Sequence, residues 1–164
     1  MKLKKIMRSA AIAATLLCTG VANAALYQFT VSGDYSASWQ MDSAPTPDLA
    51  LPALGITFGD VRGVYANAVS DLADVSFFVG SFGGGMSIED YYGGAFLLVA
   101  DGPQIYEGSA EAPLFHTGTY ALTEYQGTAA YTLTIAAVPE PATYGMLLAG
   151  MALVAVAARR RSGN

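Results

Sequence analysis

His116 is the sole histidine of the chain, so a two-histidine metal site cannot form. Set beside Phe115 in a β-prone stretch, it reads as a structural or surface residue rather than a general base. Gly85-Met86-Ser87-Ile88-Glu89 approaches the G-x-S-x-G nucleophile elbow but breaks it at the last position, which argues against a triad hydrolase. Gly83-Gly84-Gly85 could cradle a phosphate, yet no lysine follows, and a flexible hairpin loop is the simpler reading. Two carboxylates suffice for a glycosidase. Glu89 and Asp90 are adjacent, however, and on a strand they would point to opposite faces. The other acids fall mostly in turns and read as a solvated surface. Calcium is the one cofactor these oxygens leave open, through Asp42, Asp48, Asp71, Asp74, Glu89, Asp90 and Asp101, although no D-x-D-x-D-G run marks a site. Thr117/Thr119 and Thr132/Thr134 form Thr-x-Thr pairs without the repeat that would stack them into an ordered face, so they read as ordinary β surface. Trp39, Tyr35 and Tyr27 could make a sugar-stacking platform, but they share one face of a hairpin, and that face is expected in the core.

The elements that must position these residues are mostly of period two. Tyr27, Phe29 and Val31 alternate with Gln28, Thr30 and Ser32. Gly33-Asp34 then turns the chain into Tyr35, Ala37, Trp39 and Met41, a hairpin with one apolar face. Asp42 to Pro52 contains three prolines and reads as a loop. Further strands are predicted over 55–58, 61–65, 75–79, 95–100, 104–106, 117–122 and 129–136. Residues 67–74 fit either a short helix or an irregular loop. The pattern predicts an all-β body, an antiparallel sandwich or jelly roll.

Both ends of the chain differ from this body. Lys2, Lys4, Lys5 and Arg8 precede an apolar stretch from Ala10 to Val21 and the small residues Ala22-Asn23-Ala24, the pattern of a secretory signal peptide cleaved before Ala25. Cys18, the only cysteine, falls inside that segment, so the mature protein would hold no thiol, disulfide or cysteine-bound metal. At the other end Val138-Pro139-Glu140-Pro141 leads into an uncharged run from Ala142 to Ala158 and then Arg159, Arg160 and Arg161. The prolines keep the motif extended and accessible. The apolar run reads as a single transmembrane helix of roughly 25 Å, slightly short for a hydrocarbon core of about 30 Å. A buried C-terminal helix is the alternative, disfavoured because the run has no polar face. The arginines act as stop-transfer and orient Asn164 towards the cytoplasm. The chain thus divides into a signal peptide (1–24), a body (25–136) and a C-terminal signal (137–164).

Removing the signals changes the charge. The body holds one basic residue, Arg62, and twelve acidic ones, a net charge of −11 that the whole-chain value of −5 conceals. Such a body repels phosphate backbones, which excludes nucleic acid as a partner, and it lacks the cations that would hold an anionic polysaccharide directly.

The Val-Pro-Glu-Pro motif, the apolar run and the arginine cluster, in this order at the C-terminus behind a secretory signal, resemble the PEP-CTERM sorting signal of Gram-negative bacteria that make extracellular polysaccharide. The resemblance covers about a sixth of the chain. It implies that an exosortase-type membrane protease processes the chain at or near Pro139, Glu140 and Pro141, after export by the Sec machinery. The resulting expectation is a non-enzymatic secreted protein. It would be held in the inner membrane with its body in the periplasm, then delivered to the cell surface or exopolysaccharide matrix as a structural component. The rival expectation is a small carbohydrate-binding protein, calcium-dependent or not, or a glycan-active one.

Overall fold

The computed structural model describes residues 25–139 and, in the tail, residue 145 and residues 148–151. Its strands are β1 (Leu26–Gly33), β2 (Ala37–Asp42), β3 (Leu49–Leu51), β4 (Gly55–Tyr65), β5 (Leu72–Phe78), β6 (Met86–Asp90), β7 (Phe96–Asp101), β8 (Tyr106–Ser109), β9 (Ala112–Phe115), β10 (Gly118–Glu124) and β11 (Ala130–Ala137), with a 3-10 turn at Gly80–Phe82. The main sheet runs β2-β1-β11-β10-β7-β6-β5-β4-β3, and β2 also pairs with β4. That extra pairing joins eight of the strands into a closed antiparallel barrel.

The body is therefore all-β as expected, but the expected sandwich or jelly roll is corrected to a barrel. Alternating inward and outward residues look the same in both architectures, and only the pairing of distant strands separates them. Closure depends on β4. Its register shifts between Phe58 and Val61, where Asp60 takes a φ of 43°, and such a bulge bends a strand. Two carboxylates brace the bend: Gly59 N–H donates to Asp48 Oδ2 at 2.8 Å and Asp60 N–H to Asp74 Oδ1 at 3.0 Å. Past the bend, Tyr65, Val64 and Gly63 pair with Ala37, Ser38 and Trp39. A Cβ on Gly63 would lie 2.6 Å from the Ser38 carbonyl oxygen and 2.9 Å from Trp39 Cβ, so the closing seam depends on a residue without a side chain.

Eight strands leave an interior just wide enough for side chains to fill. Here aromatic rings fill it. Phe29 stacks on Trp39 with centroids 5.3 Å apart and meets Phe115 edge-on at 5.2 Å; Phe115 in turn packs on Phe77 at 4.9 Å. Phe115 comes from the β8–β9 hairpin, which is not part of the ring but inserts this fully buried side chain among the interior aromatics. Its N–H donates to the Ser43 carbonyl at 2.8 Å, and its full burial contributes about 1.5–3 kcal/mol.

The hairpin expected from Tyr27 to Met41 forms, with Phe29 opposite Trp39. The segments 55–58 and 61–65 join into the single bent β4. Residues 86–90, outside the predicted strands, form β6, with Met86 and Ile88 buried. Residues 67–74 form a turn running into β5, and no helix. The transmembrane helix expected over 142–158 lies mostly outside the described residues. In that run Gly145 and residues 148–151 are helical, and no helix among the described residues is long and apolar enough to cross a membrane. The expected signal peptide, residues 1–24, lies outside the described residues.

Candidate functional site

The barrel brings the two ends of the body to one place. β1 and β11 are antiparallel neighbours, with Tyr27 opposite Ala137. Beyond that pair Val138 N–H donates to the Leu26 carbonyl at 2.8 Å, and the Ala25 carbonyl accepts from Ser43 N–H at 2.8 Å. Pro139 is exposed and has no N–H to continue the ladder, so pairing stops at the first motif proline. Ala25, the expected first mature residue, and Val138, the first motif residue, thus flank the same rim. Ala22, Ala24, Glu140, Pro141 and Arg159 to Arg161 lie outside the described residues.

A second feature lies on the outer wall. A cleft of about 450 Å³ is lined by Phe78 at the end of β5, Phe82 of the 3-10 turn, Gly84, Val99 to Asp101 of β7, and Tyr125 just after β10. Its floor is low at Gly84, the middle of Gly83-Gly84-Gly85, which carries no side chain. All three have positive φ (108°, 65° and 73°), and a Cβ on Gly84 or Gly85 would run into the carbonyl oxygen of Gly102 or Ala100. The triple glycine is therefore held in place rather than a flexible loop. Gly84 N–H donates to the Val79 carbonyl and Gly85 N–H to the Pro103 carbonyl, each at 3.0 Å. Gln104 fixes the adjoining turn by accepting from Gly80 N–H at 2.8 Å and donating to the Tyr106 carbonyl at 2.9 Å. On one wall the rings of Phe78 and Phe82 meet at 5.9 Å and 48°, forming a corner, with Phe82 60 % exposed. Tyr125, 53 % exposed, adds a third ring. Asp101 is exposed, and among the described residues its carboxylate has neither a hydrogen-bond partner nor an ion-pair partner.

The family model described as the PEP-CTERM protein-sorting motif matches residues 137–161. The chain carries a PEP-CTERM sorting signal. That signal marks the protein for processing by an exosortase, a membrane protein, and for sorting to the surface. Neither the curated proteins nor the solved structures yield a match. In this PEP-CTERM protein the matched segment begins at Ala137, the last residue of β11, so the signal starts where the barrel ends, without a spacer.

The remaining candidate residues of the PEP-CTERM protein are dispersed. Trp39 and Tyr35 are buried inside the barrel and Tyr27 is half-buried, so they form no surface platform. Burial, and secondarily the Asp90 charge, pushes the Tyr35 hydroxyl up to about 12. The oxygens considered for calcium serve several separate places: Asp48 and Asp74 brace the β4 bend, Asp71 pairs with Arg62, and Asp101 faces the cleft. Among the described residues no three His, Cys, Asp or Glu side chains are grouped to hold a metal. Asp90 is 2 % exposed, which its sequence neighbours did not reveal. Its carboxylate accepts from Val69 N–H at 2.7 Å and Tyr92 N–H at 3.3 Å, and the Val69 bond above all holds its pKa below the usual carboxylate range. Glu89 lies on the opposite strand face, half-buried. His116 Nε2 sits 3.2 Å from Glu107 Oε2 on the surface. Ser38, Thr30, Thr134 and Thr119 align across β2, β1, β11 and β10 as one outward row of hydroxyls, a register invisible in the separate Thr-x-Thr pairs.

Proposed function

We propose that this PEP-CTERM protein is a non-enzymatic cargo, exported by the Sec machinery after removal of residues 1–24, processed at the Pro139-Glu140-Pro141 motif, and left at the cell surface or in the exopolysaccharide matrix as a structural component. The observation that carries the reading is the sorting signal joined directly to a barrel whose axis is occupied by aromatic rings. Processing at the junction would leave the barrel intact, because its last strand ends at Ala137. The acidic body, with a net charge of −11, also suits a secreted protein that must stay soluble and unaggregated. No catalytic role is assigned to any residue.

The test is replacement of Pro139-Glu140-Pro141 by alanines, followed by mass measurement of the C-terminus and fractionation of cells. The expected outcome is accumulation of the unprocessed chain and loss of the surface fraction. Unchanged processing and delivery would overturn the sorting mechanism. A hydrolysis assay of the full chain on the producing cell's own polysaccharide tests the non-enzymatic part, and turnover would overturn it.

A further inference from the structure

We infer that the outer-wall cleft is a binding site for an organic ammonium group, with Phe78, Phe82 and Tyr125 as its aromatic walls and Asp101 as its counter-ion. This goes beyond the sorting reading and stands or falls separately from it.

Three observations converge. The first is the rings. Phe82 and Tyr125 are large side chains left more than half exposed on one concave surface, beside the half-buried Phe78. Aromatic faces attract a cation held within about 6 Å of the ring centre, and the attraction is largest where water is displaced. The second is charge. Asp101 presents a carboxylate with no partner among the described residues, in a body whose only cation among twelve carboxylates, Arg62, is paired with Asp71. An anionic ligand would be repelled, and a neutral one could hydrogen-bond to the carboxylate but would leave its charge uncompensated. A cation satisfies both rings and carboxylate. The third is construction. The hollow is kept open at Gly84 and Gly85, which take positive φ and lie against backbone that no side chain could clear, and Gln104 pins the turn that carries Phe82. A site with fixed walls loses little freedom on binding, and about 450 Å³ falls within the range of small-ligand sites.

An ammonium group could be presented by a small quaternary amine or by an amino sugar, and the test separates these sources. The full chain is prepared in a non-ionic detergent and titrated calorimetrically with choline, glucosamine and glucose. Choline, glucosamine or both bind one to one, glucose does not, and binding weakens as salt is raised. Asp101→Asn lowers affinity at least tenfold. Phe82→Ala and Tyr125→Ala, at exposed positions, each lower it about threefold to tenfold while leaving the unfolding temperature unchanged. Choline binding without glucosamine assigns the site to quaternary amines, and the reverse assigns it to amino sugars. Glucose binding as tightly as glucosamine, binding that survives Asp101→Asn, or no saturable binding by any probe in the millimolar range would each overturn the assignment.

Discussion

Val138 is tied by its backbone N–H to the carbonyl of Leu26, 2.8 Å away across the β1–β11 ladder. The first residue of the sorting motif is therefore also the last paired residue of the barrel. A protease that needs the motif extended in its own site must work against the rim, or must first release Val138.

Releasing Val138 breaks one backbone hydrogen bond, worth about 0.5–1.5 kcal/mol net. A short Gly-Ser spacer inserted between Ala137 and Val138 should therefore speed processing about twofold to tenfold, measured by pulse-chase in the producing cell. An unchanged rate would mean that the rim does not limit access.

Closure of the ring depends on the space left by Gly63. Gly63→Ala places a methyl group against the Ser38 carbonyl oxygen and Trp39 Cβ, at 2.6 and 2.9 Å, and forces β2 and β4 apart. The expected loss is about 1–3 kcal/mol, read as a lower denaturation midpoint in urea. Gly59→Ala is the control. Its new Cβ would meet nothing nearer than Asp74 Oδ1 at 3.5 Å, and its stability should change little.

Stability should fall at both extremes of pH, for two different residues. Asp90 has a lowered pKa, chiefly through the Val69 N–H. Its contribution is complete above the ordinary carboxyl value of 3.8 and disappears as pH falls through the lower folded-state value. Tyr35 has a raised pKa, chiefly through burial. Its contribution is complete below 10.0 and disappears as pH rises towards about 12. Thermal unfolding across pH should show a plateau between two falling limbs, with tyrosinate absorbance rising on the alkaline one. Asp90→Asn should flatten the acid limb. Tyr35→Phe should delay the alkaline onset without abolishing it, because burial raises Tyr65 as well. An acid limb unaltered in Asp90→Asn would remove Asp90 from this role.

Local pattern made most of the strands legible, though β3, inside the stretch read as a loop, and β9 were not. Phe29, Val31, Trp39, Leu133 and Ile135 alternate with polar neighbours, and each is buried. The β6 strand was not legible, because Gly83 to Gly85 announced a turn and the strand begins one residue later. The cleft was harder still. Phe78, Phe82, Asp101 and Tyr125 are spread over 48 positions, and only the sheet order β10-β7-β6-β5 brings them together on one wall. Asp90 escaped for a related reason: its partners Val69 and Tyr92 lie on two loops that the β5–β6 pairing sets side by side.

From sequence alone came the sorting motif, the acidic body and the all-β character, because each is a property of nearby residues: a short recognition string, a charge count, a two-residue period. The tertiary structure decided the barrel, the meeting of Ala25 and Val138 at one rim, and the outer cleft. Each of these rests on pairings that local pattern does not name: β2 with β4 for the barrel, β1 with β11 for the rim, and β10 with β7 for the cleft. A two-residue period states which face a side chain takes, but not which strand will lie beside it.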